Sequence, residues 1–263
     1  MDFRSPQGDG RLSDPETLPL LGAALWRSGV PSGDVALGTG TPLGSFSLER
    51  AKAKEFLEGR ELEVVSSLGE HRRYRIVKLV LRPQSVAATI HAINRGVLRR
   101  GNGMAAVLDF GSRTCDVVTI DLGTMDPITQ LCFSVQAGVN DVASGMSALI
   151  EQATGFAPSS PRVALEAIAS PVNIRGKTIG GFEAAEPVLR SVADRLRDAL
   201  AVRYGDAGNM ISVLVPVGGG AIVLGSVIET VLPAAEIARL GPHDLPYANA
   251  LGYFQEAERA VWR

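Results

Sequence analysis

The chain has 263 residues, of which 46% are hydrophobic and 21% are charged, a composition typical of a soluble globular protein with one large or two small domains. Its formal net charge is -2 and its pI is about 6.0, which excludes a general electrostatic attraction to nucleic acid. Its only two cysteines, Cys115 and Cys132, lie in apolar runs, so the sequence predicts buried free thiols rather than a disulfide framework or a metal site.

The N-terminal residues and the most apolar stretch of the chain indicate in which cellular compartment the protein is expected. The first residues contain no basic segment followed by an apolar core, which predicts a cytoplasmic protein without a signal peptide. Residues 1–14 are polar and rich in glycine, proline and serine, which predicts a disordered or linker-like N-terminus. The uncharged stretch 210–228 is long enough to span a bilayer, but Pro216 and three consecutive glycines favour strand, turn and helix. We therefore expect no membrane contact.

The part of the chain from residue 15 to residue 98 alternates helices with short strands. The predicted elements are a helix from residue 15 to about 27, a strand at 33–38, a helix at 47–57, strands at 62–65 and 73–81, and a helix at 86–98. Gly38, Pro42 and Leu43 belong to the first strand-to-helix connection. Because Gly and Pro are common in such connections, these residues alone are weak evidence for any particular family. Gln84 and Ser85 stand directly before the last helix, where the pair is also typical of a helix cap.

The rest of the chain begins with three short strands and continues mainly with helices. The predicted elements are strands at 104–109, 114–121 and 128–135, helices at 141–152, 162–168 and 182–203, a strand at 211–217, a helix ending near residue 230, a strand at 231–236, and a terminal helix after Pro246. No histidine has a second metal-ligating residue at a suitable spacing, so we assign none of the three to a site.

The first two of these strands are joined by the short polar segment Gly111-Ser112-Arg113-Thr114, with Asp109 before it and Asp116 after it. Successive N–H groups in such a tight turn form a concave surface that binds anions, and two hydroxyls and a guanidinium would add donors. Asp109 could hold a hydrated Mg²⁺ against a phosphate. The alternative is an ordinary hairpin with a polar tip.

A second glycine-containing turn follows the strand at 211–217 and has the sequence Gly218-Gly219-Gly220-Ala221. Without side chains in the way, a nucleotide ring or a phosphate can approach its backbone closely. A Rossmann unit also contains a strand, a glycine-rich turn and a helix, but it would place them early in the chain and follow them with an acidic residue after a second strand.

These stretches together resemble the motifs of the actin-like ATPase superfamily, and in particular ParM-type plasmid-segregation and archaeal actin-like proteins. The segment Asp109-Phe-Gly-Ser-Arg-Thr-Cys-Asp116 resembles the second phosphate loop, and Gly218-Gly-Gly-Ala221 resembles the adenosine motif. Pro83-Gln84-Ser85 resembles the junction before the crossover helix. Residues 246–254 resemble the Ala-Asn-Ala-x-Gly-Tyr pattern of the terminal helix. The four motifs follow the family order, which is more specific than any one of them.

The resemblance implies an α/β, ribonuclease H-like fold with two domains, the first incomplete. Residues 15–98 would be a remnant of domain I ending in the crossover helix, 99–245 would be domain II, and 246–263 would return to domain I. Residues 1–32 contain no Asp-x-Gly loop between apolar strands, because Asp9-Gly10 stands in a polar stretch. The first phosphate loop of the family is therefore expected to be missing.

The resemblance also implies an ATP or ADP site with Mg²⁺. Gly111, Ser112, Arg113 and Thr114 would hold phosphates, Asp109 would hold the metal through water, and Gly218, Gly219, Gly220 and Ala221 would line the nucleoside. Gln84 would orient the attacking water, so Gln84 and Asp109 are the candidate catalytic residues. Lys177 and Glu183 would lie on the ribose side, although Glu183 also suits a solvated helix start.

The function implied is that of an ATP-binding protein that forms nucleotide-dependent filaments in DNA or plasmid segregation or in a cytoskeleton. Its partners would be copies of itself and a DNA-binding adaptor protein, without direct contact with nucleic acid. ATP hydrolysis would require compensation for the missing first loop. The alternative is a truncated, non-hydrolysing remnant that binds or regulates filaments of a full-length relative. A sugar kinase or chaperone ATPase would need a further domain that this length does not accommodate.

Overall fold

The computed structural model describes residues 10–261, and the first nine residues of the predicted N-terminal linker lie outside this part. The described chain divides into two compact units. Unit 1 contains the described residues up to Ala87 and those from Ala250 onward, and unit 2 contains Ala88–Asn249. Among the described residues, no helix combines the length and apolar character needed to cross a membrane.

Unit 1 is built on a three-stranded sheet. Its elements are α1 (Thr17–Arg27), β1 (Gly33–Thr41), α2 (Phe46–Leu57), β2 (Glu61–Val65), β3 (His71–Pro83) and most of α8 (Ala248–Val261). The strand order is β1-β3-β2, with β1 parallel to β3 and β2 antiparallel to it. Between residue 10 and β1, the structure contains a 3₁₀ turn at Arg11–Ser13 and α1 but no strand.

The core of unit 1 follows from the side-chain spacing of its elements. Tyr74 and Ile76 are two residues apart on β3, point to the same face, and are almost completely buried. Ala53 and Leu57, four residues apart on α2, are buried on the same helix face and belong to the same apolar cluster. The Tyr74 hydroxyl donates a hydrogen bond to the Val30 carbonyl at 3.1 Å, so its polar atom is satisfied.

Unit 2 contains the elements from α3 to β10. They are α3 (Val86–Asn94), β4 (Met104–Phe110), β5 (Cys115–Asp121), β6 (Phe133–Val135), α4 (Val139–Thr154), α5 (Pro161–Ala169), β7 (Val172–Ile174), β8 (Lys177–Ile179), α6 (Phe182–Tyr204), β9 (Ile211–Val217), α7 (Gly220–Leu224) and β10 (Glu236–Ile237). α3 begins in unit 1, and α8 begins in unit 2 with Ala248 and Asn249, so these two helices carry the chain between the units.

The main sheet of unit 2 has the strand order β10-β9-β4-β5-β6. β4 is central, parallel to β9 on one side and antiparallel to β5 on the other. Every residue of β4 and all but the last of β5 are buried, which explains why both read as continuous apolar runs. The apolar cluster on one face of this sheet also contains residues of α4, α5 and α6.

Several predicted elements are shorter in the structure than in the sequence pattern. α3 ends at Asn94 rather than near residue 98, because the chain reverses at Gly96, whose φ is +70°. The helix after the glycine turn ends at Leu224, and residues up to Thr230 form turns and a 3₁₀ segment. A 3₁₀ turn at Thr129–Leu131 likewise replaces the first part of the third predicted strand.

α8 packs closely on unit 1 at a glycine, which gives a test of this packing. A Cβ atom placed on Gly252 would lie 1.9 Å from the Ala87 carbonyl oxygen, so Gly252→Ala would force the helix backbone to move. We expect it to lower the free energy of unfolding by about 1–3 kcal/mol, measured by denaturant and thermal melting. Gly44→Ala is the control, because a Cβ there meets no atom within 4 Å. Equal stability of the two variants would contradict this packing.

Candidate functional site

The two glycine-containing turns predicted from the sequence leave the main sheet of unit 2 at the same edge. β4 and β9 are adjacent and parallel, and their register pairs Asp109 with Val217. The loop 111–114 follows β4, and the turn 218–220 follows β9. In open α/β sheets, ligands bind in the crevice outside the carboxyl ends of the strands. The structure therefore brings the two predicted turns together at the kind of edge where ligands bind.

The contact between the two turns is close at Gly218. Its φ is +83°, and a Cβ atom there would lie 2.5 Å from Asp109 Oδ1 and 2.8 Å from the Phe110 carbonyl oxygen. A side chain on Gly220 would meet the Phe110 Cβ at 2.7 Å. Gly218 therefore has to be glycine for two reasons, its left-handed backbone and the close approach of the end of β4. Gly220 has to be glycine because of the close approach alone. By contrast, a Cβ on Gly219 would meet nothing within 4 Å.

The loop 111–114 is held by its own turn and by the start of α4. The Gly111 N–H donates to the Thr114 carbonyl at 2.9 Å and closes the turn. The Gly111 and Ser112 carbonyls accept hydrogen bonds of 3.1 and 2.8 Å from the N–H groups of Val139 and Asn140. The loop is thus fixed through its carbonyl groups, and two donors at the helix N-terminus are satisfied.

Each of the two turns keeps backbone donors that a ligand can use. Within residues 10–261, the N–H groups of Ser112, Arg113, Gly219 and Gly220 donate to no protein acceptor. Ser112, Arg113 and Gly219 are exposed, and in the same part of the chain the Arg113 guanidinium forms no ion pair. Free N–H groups with a cation beside them favour an anion, and a phosphate group has the matching charge and geometry.

Asp109 and Asp116 face each other across β4 and β5 beneath the loop. They are only 8% and 5% exposed. Asn249 Nδ2 donates to Asp109 Oδ2 at 2.6 Å, and the Ser134 hydroxyl donates to Asp116 Oδ1 at 2.5 Å. Residues 10–261 contain no group of three His, Cys, Asp or Glu side chains that could enclose a metal. A pair of carboxylates offers the oxygen donors that Mg²⁺ takes in proteins, where the ion keeps several waters and also binds substrate phosphates.

The buried thiol of Cys115 lies close to this carboxylate pair, and its pKa is affected by both carboxylates. Burial raises the pKa of its thiol well above the usual value, and the negative charges of Asp109 and Asp116 raise it further. A raised pKa reduces the reactive thiolate fraction.

We therefore expect Cys115 in the folded protein to react with Ellman's reagent at neutral pH at least about 10-fold more slowly than in the unfolded chain. Cys115→Ser provides the comparison, because it leaves Cys132 as the only thiol. Rapid modification of Cys115 in the native protein would contradict its burial beside the two carboxylates.

Gln84, the predicted water-orienting residue, lies in unit 1 at the sharp turn between β3 and α3. Its N–H donates to the Thr41 carbonyl at 2.9 Å, so its backbone is fixed at the carboxyl end of β1. Ser85, which follows it, is fully buried and has a φ of +66°, a left-handed conformation that is uncommon for a residue other than glycine. Such strained backbone conformations cluster at functional sites. The catalytic role of Gln84 stays a prediction.

Lys177 and Glu183 are not brought to the two turns. Lys177 donates through Nζ to the Ala153 carbonyl at 2.6 Å, near the end of α4, a helix of 16 residues and therefore about 24 Å long. Arg195 of α6 pairs with Asp141 near the start of α4, so this part of α6 lies beside the loop end of α4. Glu183 lies in the first turn of α6, about 18 Å along the helix axis from Arg195. Both side chains are thus distant from the loop end of α4, and their ribose-side role stays a prediction.

Asn249 is the site residue that sequence reasoning missed. The Ala-Asn-Ala pattern at residues 248–250 indicated only helix packing, whereas the structure places the Asn249 amide on Asp109. The one asparagine among the small residues of this pattern was the available signal.

Comparison with known proteins identifies the family. Residues 107–230 match the family model of the archaeal actin homologue MreB-like C-terminal domain, and residues 2–86 match that of the actin-like protein N-terminal domain. An archaeal actin homologue of Thermoplasma volcanium is 42% identical over 99% of this chain and 80% of its own length. The chain belongs to the actin-like ATPase superfamily. A second archaeal actin homologue, from Thermoplasma acidophilum, is 41% identical over the same shares.

Solved structures of an archaeal actin homologue and of a ParM protein share the fold of this actin-like chain. The crystal structure of Ta0583, an archaeal actin homologue, in complex with ADP has a TM-score of 0.87 and 42% identity, covering 97% of this chain and 81% of that one. A ParM filament from Clostridium botulinum has a TM-score of 0.75 at 17% identity, covering 96% and 76%, which shows the fold alone. The predicted actin-like α/β fold is therefore confirmed.

Proposed function

We propose that this actin-like chain binds one adenine nucleotide with Mg²⁺ where its two glycine-containing turns meet, and that it assembles into nucleotide-dependent filaments. The observation that carries the proposal is the contact between the turns, in which Gly218 lies directly against Asp109 at the carboxyl ends of β4 and β9. A single ligand at this edge would touch both turns. The archaeal actin homologue crystallised with ADP supports the choice of nucleotide.

The loop after β4 would bind the phosphates. The free N–H groups of Ser112 and Arg113 would donate to phosphate oxygens, the Ser112 and Thr114 hydroxyls would add donors, and the Arg113 guanidinium would balance charge. The loop carbonyls are already bonded to the start of α4, so little ordering is needed on binding.

The turn after β9 would receive the nucleoside. Gly218 and Gly220 shape the backbone there, the exposed Gly219 leaves the surface open, and Ala221 is a buried residue of α7. Lys177 and Glu183 lie away from this turn and are not part of the proposed nucleoside site. These assignments extend to this chain what the resemblance of its motifs implies.

Mg²⁺ fits the carboxylate at the end of β4. Asp109 offers a nearly buried, hydrogen-bonded carboxylate beside the proposed phosphate loop, and this is the donor type that Mg²⁺ prefers. When bound, the ion would neutralise charge on the phosphates. In hydrolysis, the Gln84 amide would orient a water molecule, and the loop donors would stabilise the charge that develops on the phosphate oxygens.

Filament assembly is proposed from relatives of the same fold. A ParM filament has been solved for one of them. A role in DNA segregation through an adaptor protein is the finer hypothesis. Binding to filaments of a full-length relative without hydrolysis is the alternative.

Isothermal titration of ADP and ATP, with Mg²⁺ and with a chelator, tests the proposal, together with phosphate release and sedimentation of assembled protein. We expect saturable binding of one nucleotide that Mg²⁺ strengthens, and more sedimented protein with ATP than without nucleotide. The absence of binding of either nucleotide would overturn the proposal. Binding without phosphate release or assembly would favour the alternative.

A further inference from the structure

The short segment 244–249, whose last two residues begin α8, contacts the turn after β9 and the end of β4. The Leu245 carbonyl accepts a hydrogen bond of 3.0 Å from the Gly218 N–H, which fixes the turn after β9. Four residues later, Asn249 Nδ2 donates to Asp109 Oδ2 at 2.6 Å, at the end of β4. One short piece of chain is therefore bonded to both sides of the site.

This segment is itself fixed within unit 2. Arg95 Nε, just after α3, lies 2.8 Å from Asp244 Oδ2, and the buried His91 Nε2 lies 3.4 Å from the same oxygen. Asn249 thus stands on an anchored backbone rather than on a free loop. A donor on a fixed element can hold its acceptor in one orientation.

The bond from Asn249 contributes to the orientation of the Asp109 carboxylate. Asn249 binds Oδ2, while Oδ1 faces the turn at Gly218, where a Cβ would lie only 2.5 Å away. The carboxylate plane is therefore set between the two turns. Because an amide is neutral, it orients the carboxylate and leaves the negative charge in place, which a lysine or arginine partner would not do.

We infer that Asn249 is a positioning residue, which holds Asp109 in the orientation needed to bind the divalent cation that accompanies the nucleotide. The inference rests on the proposed function and assigns this asparagine a role beyond helix packing. Partners that orient a metal-binding carboxylate contribute substantially to metal affinity although they do not touch the metal.

A purely structural role for this hydrogen bond predicts a different behaviour. Loss of a structural bond would lower the melting temperature and would weaken ADP binding to the same extent with Mg²⁺ and in chelator. Loss of a positioning bond should act only through the Asp109 charge. The Mg²⁺ requirement, compared with ADP binding in chelator and with the melting temperature, separates the two roles. A double-mutant cycle then shows whether the effect on the Mg²⁺ requirement passes through Asp109, because residues that act as a unit are not additive.

The test uses Asn249→Leu, which keeps the side-chain size and removes the donor, with Asp109→Asn and the double variant. The exposed Asn209→Leu is the matched control. For each protein, the Mg²⁺ concentration that gives half-maximal ADP binding is measured by titration, alongside ADP binding in chelator and the melting temperature without nucleotide. Asn249→Gln tests whether a second amide restores the function.

We expect Asn249→Leu to raise the required Mg²⁺ concentration by about 10-fold and to change ADP binding in chelator little. The change should disappear in the Asp109→Asn background, and Asn249→Gln should recover part of the loss. An Mg²⁺ requirement that stays at the wild-type value, or an effect of equal size in both backgrounds, would overturn the inference while leaving nucleotide binding intact. If the wild-type chain binds no nucleotide, the proposed function and this inference both fail.

Discussion

Asp109→Asn is expected to weaken Mg²⁺-dependent nucleotide binding by about 100-fold, the largest loss from any single isosteric change in this site. The substitution removes the negative charge that would hold the hydrated cation and keeps the side-chain volume. Because Asp109 faces Asp116 across the sheet, neutralising one of them also removes repulsion between two buried carboxylates. The nucleotide-free protein should therefore melt at the same temperature as wild type or higher.

The combination of lost binding and retained stability separates a binding role from a structural one. Asp206→Asn is the matched control, because Asp206 is an exposed carboxylate in unit 2 before β9, at the opposite end of that strand from Gly218. Titration of ADP with Mg²⁺ and a thermal melt of each variant are sufficient. Unchanged nucleotide affinity in Asp109→Asn would contradict the assignment of Asp109.

Gly219→Leu is expected to reduce ADP affinity by about 10-fold or more with no loss of stability, since ligand sites depend on close approach to the backbone. Gly219 has helical backbone angles, φ -61° and ψ -31°, and a Cβ there meets no atom within 4 Å. The folded protein therefore accommodates the side chain. In the nucleotide complex, the same side chain would occupy the space that the nucleoside requires.

Gly218→Ala provides the matched contrast at the neighbouring position. Its left-handed φ and the 2.5 Å approach of Asp109 Oδ1 leave no room for a methyl group. We expect this variant to lose about 1–3 kcal/mol of stability whether or not nucleotide is present. If Gly219→Leu binds ADP as tightly as wild type, the nucleoside does not lie on this turn.

Much of the local structure of this chain could be predicted from residue patterns. The two buried runs around Gly111 predicted the β4–β5 hairpin, and the apolar spacing from Val188 to Leu200 predicted α6. Helix ends were harder, because α3 and α7 both end before the apolar pattern stops, and α3 ends just before the chain reverses at Gly96. The apolar sequence pattern indicates which residues are buried, and buried residues continue beyond the last hydrogen-bonded residue of each helix.

The meeting of the two turns could not be derived from local pattern. It depends on the parallel pairing of β9 with β4, which brings distant parts of the sequence together and has no local signature. The resemblance to actin-like ATPases supplied that expectation. The bond from Asn249 to Asp109 was missed for the same reason, because a side-chain partner in a distant element is defined only by the tertiary structure.

The most direct test of the account is hydrogen–deuterium exchange of the full chain with and without ADP and Mg²⁺. The central claim is that one nucleotide contacts the loop 111–114 and the turn 218–220 at the same time. It predicts that exchange of the free N–H groups of Ser112, Arg113, Gly219 and Gly220 slows at both turns over a single binding curve. Saturating nucleotide that protects only one turn, or neither, would contradict it.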